Sequence, residues 1–333
     1  LIFAPQAKAA SPPPIGHWKF DEGSGTVASD SSGNGNTGTL MNGPQWVSGI
    51  SGMALSFDGD NDYVLIPDSS SLDISGNQIS FEFWMNSAVD LPYPTTPEEA
   101  MYFFDKGDAY VGSIQMDAGN PTYYGRLTFS LPFSTPDNKY IRSTRDSWSA
   151  NTWYHIALTY DGSIMRIYVN GVLDNAVEAG GNVHTSGFPL AIGSYCLGTY
   201  NFFEGMIDEF AIYNYARTQE EIWNDFKSLS KNYITLTPNT GFACTTVVGS
   251  GLSNNSKITI RWDGTVIPTV PSPLTTDANG NFTAIISVPT QNSPGPHTVN
   301  ATDESGNWAT ATFTVVDMTG PQGPQGPQGL KGD

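Results

Sequence analysis

Apolar and polar residues alternate over short runs along most of the chain. Ser80-Phe81-Glu82-Phe83-Trp84-Met85, Trp153-Tyr154-His155-Ile156-Ala157-Leu158-Thr159-Tyr160 and Met165-Arg166-Ile167-Tyr168-Val169 carry apolar side chains at every second position. A period of two is that of a half-buried strand, so these runs predict β-strands. The last two are joined at Asp161-Gly162, and Asn170-Gly171 follows Val169 with Val172-Leu173 beyond. Both dipeptides tolerate positive φ, which predicts tight hairpins. One segment departs from this pattern. Thr218 with Glu221 three residues on forms a capping box, and Ile222, Trp223, Phe226 and Leu229 recur on one helical face, so a helix closes the region.

Composition supports an all-β reading, because glycine (35) and proline (23) are abundant while only 14% of residues are charged. No run approaches eighteen apolar residues, so no membrane span is expected. Residues 15–232 place short strands between Gly/Asn/Asp turns, as a sandwich or jelly roll does. Residues 233–317 form a second β region. Runs at 234–238, 246–251, 257–264, 282–289 and 310–315 alternate with turns such as Asp277-Ala278-Asn279-Gly280. Roughly seven short strands in about 85 residues is the arithmetic of an Ig-like sandwich.

The two ends differ from both regions. Residues 1–14 form an extension in which Leu1-Ile2-Phe3-Ala4 and the small residues after it resemble the end of a secretory signal, followed by the stiff spacer Ser11-Pro12-Pro13-Pro14. Residues 1–4 either add as a strand to a neighbouring copy or pack on their own domain. Residues 318–333 hold glycine at every third position from Gly320 to Gly332, the phase that three wound collagen chains require. A collagen-like tail predicts a homotrimer.

A net charge of −18 repels a phosphate backbone, which excludes nucleic acid as a partner. The four histidines match no zinc spacing. Cys196 and Cys244 fall one in each β region and either clamp the two together, link separate molecules or stay free. The sequons at Asn254, Asn281 and Asn300 allow glycosylation.

Gly16-His17-Trp18-Lys19-Phe20-Asp21-Glu22-Gly23-Ser24-Gly25, Asp30-Ser31-Ser32-Gly33-Asn34-Gly35-Asn36, Ala54-Leu55-Ser56-Phe57-Asp58-Gly59 and Phe203-Glu204-Gly205-Met206-Ile207-Asp208-Glu209-Phe210 occur in this order. Together with Trp153 to Gly162 and Val169-Asn170-Gly171, they resemble the laminin-G-like, concanavalin A-like jelly roll of secreted microbial proteins. The second region is similar to Ig-like spacers of the IPT/TIG kind in bacterial and archaeal surface proteins. Residues 89–138 are longer and richer in proline than the first resemblance implies, and are expected to form an insertion.

The first resemblance implies a structural calcium ion where the loop of residues 30–36 meets the first and penultimate strands. It nominates Asp21, Asn34, Asn36 and Asp208, with Asp30 as a further candidate. Calcium takes six to eight oxygens, and this loop offers carboxylate, carboxamide and main-chain oxygens. The alternative is a turn loop closed by Asx hydrogen bonds. Asp58-Gly59-Asp60-Asn61-Asp62 lacks the glycine and glutamate that complete an EF-hand and reads as a hairpin turn.

Related jelly rolls include β-glucanases whose carboxylates follow E-x-D-x-x-E. That spacing is absent, as is G-x-S-x-G, so a non-enzyme is expected. Lectin-like sandwiches stack sugars on loop aromatics, which singles out Tyr123, Tyr124, Tyr195, Tyr200 and Asn201, with Tyr93, Tyr102 and Tyr110 near them. The alternative is that these rings pack the insertion onto the sheet. Trp18, Trp84, Trp153 and Trp223 are assigned to the core. The expected protein is secreted, in the matrix or on the cell surface of a bacterium or archaeon. It builds a filament or appendage from copies of itself, or else displays a glycan-binding head on a trimeric stalk.

Overall fold

The computed structural model describes residues 11–92, 100–116, 122–132, 139–195, 198–230, 232–289, 293–304 and 307–316. Residues 1–4, the glycine-phased repeat, Tyr93 and Cys196 lie outside them. The chain divides into two units between residues 229 and 230.

In the first unit the strands are β1 (Gly16–Trp18), β2 (Val27–Ala28), β3 (Gly38–Met41), β4 (Gln45–Ser48), β5 (Met53–Asp58) and β6 (Tyr63–Ile66). Next come β7 (Ile79–Ser87), β8 (Ala100–Asp105), β9 (Val111–Gln115), β10 (Leu127–Leu131) and β11 (Lys139–Arg142). The unit ends with β12 (Trp153–Tyr160), β13 (Ile164–Val169), β14 (Val172–Glu178), β15 (Leu190–Ile192), β16 (Glu204–Tyr213) and helix α1 (Gln219–Leu229). Sheet I runs β14-β13-β12-β7-β16-β5-β4, with β1 also paired to β16. Sheet II runs β11-β10-β9-β8-β15-β6-β3-β2.

Alternate residues of the two sheets meet in one core. Phe81, Phe83 and Met85 of β7 face Phe103 and Phe104 of β8, Ile114 of β9, and Leu127 and Phe129 of β10. Phe81 stacks on Phe104 at 4.5 Å and meets the Phe129 ring edge-on at 5.6 Å, geometries worth about 1 kcal/mol each beyond burial. The other face of sheet I is covered in part by helix α1. Ile222 packs with Ala157 and Tyr168, and Phe226 stacks on Trp84 at 5.7 Å. The capping box forms as expected, with Thr218 N donating to Glu221 Oε2 at 2.7 Å and Glu221 N to Thr218 Oγ1 at 3.3 Å. Both hairpins also form, and Asn170 and Gly171 take φ of 50° and 74°.

Three expectations change. Within residues 89–138, expected to form an insertion, β8, β9 and β10 are interior strands of sheet II. Their alternation was hidden by the proline-rich stretches around them. The turn at residues 58–62 joins β5 of sheet I to β6 of sheet II, so it crosses between layers instead of closing a hairpin. Asp58 Oδ1 holds it by accepting from Asp60 N and Asn61 N. Of the four tryptophans, Trp18 is buried between the sheets, Trp84 lies under the helix, and Trp153 and Trp223 are only half-buried.

The second unit contains β17 (Tyr233–Thr237), β18 (Thr240–Gly241), β19 (Cys244–Ser250), β20 (Thr259–Trp262), β21 (Thr265–Val266), β22 (Phe282–Ser287), β23 (Gly295–Thr302) and β24 (Trp308–Val315). A sheet β17-β19-β22 and a sheet β18-β24-β23-β20-β21 enclose a core that includes Val247, Ile260, Trp262, Phe282, Val299 and Phe313.

Candidate functional site

The outward face of sheet II carries the best-defined polar arrangement among the predicted binding residues. Met101, Phe103, Ile114, Leu127, Phe129 and Ile141 point into the core, so their neighbours Tyr102, Ser113, Thr128 and Arg142 must point out. The ladder places these four in one row, since Tyr102 opposes Ser113, Ser113 opposes Thr128, and Thr128 opposes Arg142. Three strand spacings separate its ends, roughly 14 Å. Ser113 and Thr128 are sunk in the floor. Thr128 Oγ1 and Arg142 Nε have no hydrogen-bond partner among the described residues.

Tyrosines flank both ends of the row. At one end the Tyr102 ring lies 4.5 Å from Tyr195, which meets Tyr200 edge-on at 5.2 Å. The backbone fixes this cluster, with Tyr195 N donating to Tyr200 O and Tyr102 N to Asn201 O, both at 3.3 Å. Asn201 sits at φ 58°, the left-handed region that lets the chain reverse there. Burial pushes the Tyr102 phenol up to about 12, with Tyr195 and Asp105 adding to the effect, so it stays a neutral donor. At the other end the Arg142 guanidinium lies 3.7 Å from the Tyr123 ring centre and 4.1 Å from that of Tyr140. Tyr200 and Tyr140 are each 50% exposed, which leaves two rings open at opposite ends of one polar strip.

Four of the sequence candidates, Tyr123, Tyr195, Tyr200 and Asn201, thus belong to this face, and Tyr124 is half-buried next to Tyr123. Tyr110 does not belong, because its side chain is fully buried and its hydroxyl donates to Leu72 O. Ser113, Thr128, Tyr140 and Arg142 were missed. The only sequence signal was their polar character between apolar strand residues, and that does not say which strands are neighbours.

The five calcium candidates fall into two groups. Asp30 accepts from His17 N, Ser32 N, Ser32 Oγ and Asn36 N at 2.8–3.0 Å. Burial opposes its charge, but these donors hold the carboxyl below the usual range. Asn34 Nδ2 and Asn36 Nδ2 both donate to Ile15 O at 2.9 Å. Asp21 and Asp208 instead hold the turn at residues 49–53. Asp21 accepts from Met53 N at 2.9 Å, and Asp208 from Ile50 N and Ser51 N at 2.9 and 3.2 Å. Burial pushes the Asp208 carboxyl up to about 7, with Glu209 adding to it, against those donors. Among the described residues no group of three or more His, Cys, Asp or Glu converges on a metal position. In this arrangement the Asn34 and Asn36 carboxamides turn their N–H groups toward the Ile15 carbonyl, whereas calcium would take their oxygens.

Cys244 is exposed and free, and its possible partner Cys196 lies outside the described residues. The three sequons are not equivalent. Asn254 is exposed, whereas the Asn281 and Asn300 carboxamide oxygens accept from Ser250 Oγ and Thr302 Oγ1 at 2.7 Å. No described helix is long and apolar enough to cross a membrane.

The chain is similar to Pappalysin-1 of Mus musculus, 33% identical over 119 residues, and to that of Homo sapiens, 30% identical over 117. Each alignment covers 34% of this chain, and the chain spans 7% of the length of those relatives. The fold is similar to the botulinum neurotoxin serotype G binding domain, with TM-score 0.53 and 15% identity over 86% of this chain and 72% of that one. It is also similar to the binding domain of Paraclostridial Mosquitocidal Protein 1, with TM-score 0.52 and 13% identity over 88% and 76%. Residues 58–223 match the concanavalin A-like lectin/glucanases superfamily, and with the two stacked sheets this identifies the first unit as a concanavalin A-like, laminin-G-like jelly roll.

Proposed function

We propose that the first unit is a non-catalytic glycan-binding head and that the second is an Ig-like spacer. The observation that carries this reading is the pair of half-exposed rings, Tyr200 and Tyr140, at opposite ends of the Tyr102-Ser113-Thr128-Arg142 row. Sugar rings stack on aromatic faces, and the Tyr102 hydroxyl and Arg142 guanidinium would supply directional hydrogen bonds. A strip of roughly 14 Å suits a short oligosaccharide lying across the strands better than a single ring held in a deep hole.

The protein would work outside the cell, where such glycans are displayed. Its collagen-like repeat at residues 320–333 would multiply weak contacts by holding several heads together. Assembly into a filament would rest on residues 1–4 and 320–333, which lie outside the described residues, and the tyrosine-flanked strip is what favours binding.

A glycan array followed by titration of the best hits tests it. Tyr200→Ala and Tyr140→Ala should each weaken binding by about three- to tenfold, as loss of one stacked ring does, while leaving the melting temperature in place. If the parent protein retains no glycan, or both variants bind as the parent does, the reading fails.

A further inference from the structure

On the opposite side of the same unit, helix α1 leaves part of sheet I uncovered, and a cavity of about 290 Å³ opens there. That is near the small end of ligand pockets, room for roughly ten waters or one compact organic molecule. Its floor is Ala211 of β16, whose ladder partners are His17 of β1 and Glu82 of β7. Asp225 of the helix and Glu209 of β16 add two more carboxylates to the lining.

Glu82 is the unusual member. It stands at the centre of the sheet, only 4% exposed, and its Oε1 has no hydrogen-bond partner among the described residues. Arg217 Nε approaches that oxygen at 3.3 Å but is not aligned to donate. The same guanidinium makes its short contact, 2.7 Å, with Asp225 Oδ2. His155 Nε2 lies 3.7 Å from Glu82 Oε2, too far for a hydrogen bond, and His155 Nδ1 is also without a partner. One guanidinium therefore serves two carboxylates, the buried Glu82 and the half-exposed Asp225, while Glu209 is taken by His17 at 2.7 Å. Burial and then the nearby Glu82 carboxylate raise the pKa of Asp225, against the lowering by Arg217. A buried carboxylate oxygen short of a donor is costly, and a donor that brings positive charge relieves it best.

We propose that this cavity binds a small organic ammonium ion, whose N–H groups donate to Glu82 and whose carbon chain lies along Trp84 and Leu229. An anion would meet three carboxylates against one lysine, the exposed Lys19. A bare metal ion is disfavoured because no three metal-binding side chains converge among the described residues.

The test is NMR titration of the full chain with n-butylammonium chloride, with n-butanol and sodium chloride as neutral and ionic controls. Saturable shifts at the Ala211 and Ser228 amides are expected with the ammonium compound alone. Glu82→Gln should weaken binding about tenfold, the scale of one charge-assisted contact. Ala211→Leu keeps every charge but fills the floor, so it should abolish the response, and it decides the matter if the first variant does not fold. Equal shifts with n-butanol or salt, or a full response in Ala211→Leu, would overturn the proposal. Glycan binding on sheet II is a separate readout and should be unaffected.

Discussion

The two sandwiches use charge in opposite ways. The first buries it: Lys106 and Asp208 are fully enclosed, and Glu82, His155 and Arg217 are nearly so. Lys106 Nζ donates to Asp68 and Asp73 at 2.8 and 3.0 Å and to Ser186 O at 2.6 Å, which satisfies all three of its protons. The second unit confines its ionic side chains mostly to loop ends. Asp277 accepts backbone N–H groups of the turn it begins, the buried Asp303 accepts from Asn307 N of its own turn and from Ser253 N of another loop, and Asp263 accepts from Thr298 N and His297 Nδ1. Its core list is aliphatic and aromatic throughout. Charge inside a sheet has to be matched or used, whereas charge at a turn only shapes the turn. Both proposed binding sites accordingly fall in the first unit.

The sharpest way to break this contrast is Lys106→Ala. It removes a fully buried cation and leaves the Ser186 carbonyl and two partly solvated carboxylates without their donor, so the first unit should lose about 2 kcal/mol while the second unfolds as before. Urea titration followed by residue-resolved NMR separates the two units, and equal losses in both would contradict the comparison.

A smaller effect has opposite sign in the two units. Asp208, raised to about 7 from 3.8, binds more protons folded than unfolded, so the first unit should lose stability as pH rises from about 4 to about 7. Asp303 is the reverse. Burial opposes its charge, but the Ser253 and Asn307 donors hold it at about 2, so the second unit keeps this stabilisation above pH 4 and loses it as pH falls toward 2. Hydrogen exchange across that range checks both slopes, and Asp208→Asn should flatten the first.

The smallest expected change is none. The loop around Asp30 closes with its own hydrogen bonds, so EDTA should not shift the first unit's melting temperature. A rise on adding calcium would show that the carboxamides of Asn34 and Asn36 turn their oxygens inward.

Local features were legible in the sequence because local rules govern them. Asp161-Gly162, Asn170-Gly171 and the Thr218–Glu221 box each fix a few residues and needed no partner. Strand order is different. That β8, β9, β10 and β11 pair side by side, and so bring Tyr102 and Arg142 onto one face, depends on contacts across the sheet that alternation cannot encode. The row Ser113-Thr128-Arg142 was invisible for that reason, and so was the carboxylate cavity, whose members come from β1, β7, β12, β16 and α1. The calcium candidates show the converse. They were chosen by order along the chain, and the fold sends Asp21 and Asp208 to one turn and Asp30, Asn34 and Asn36 to another.

Strand β16 has a consequence for synthesis. It pairs with β1, β5 and β7, so Gly16 meets Ile212 and residues 53–58 reach β7 only through it. Until it leaves the ribosome, β5-β4 and β14-β13-β12-β7 are separate fragments with open edges. Nascent chains stopped before residue 204 must therefore be shielded from one another, since their unpaired strands can join between molecules.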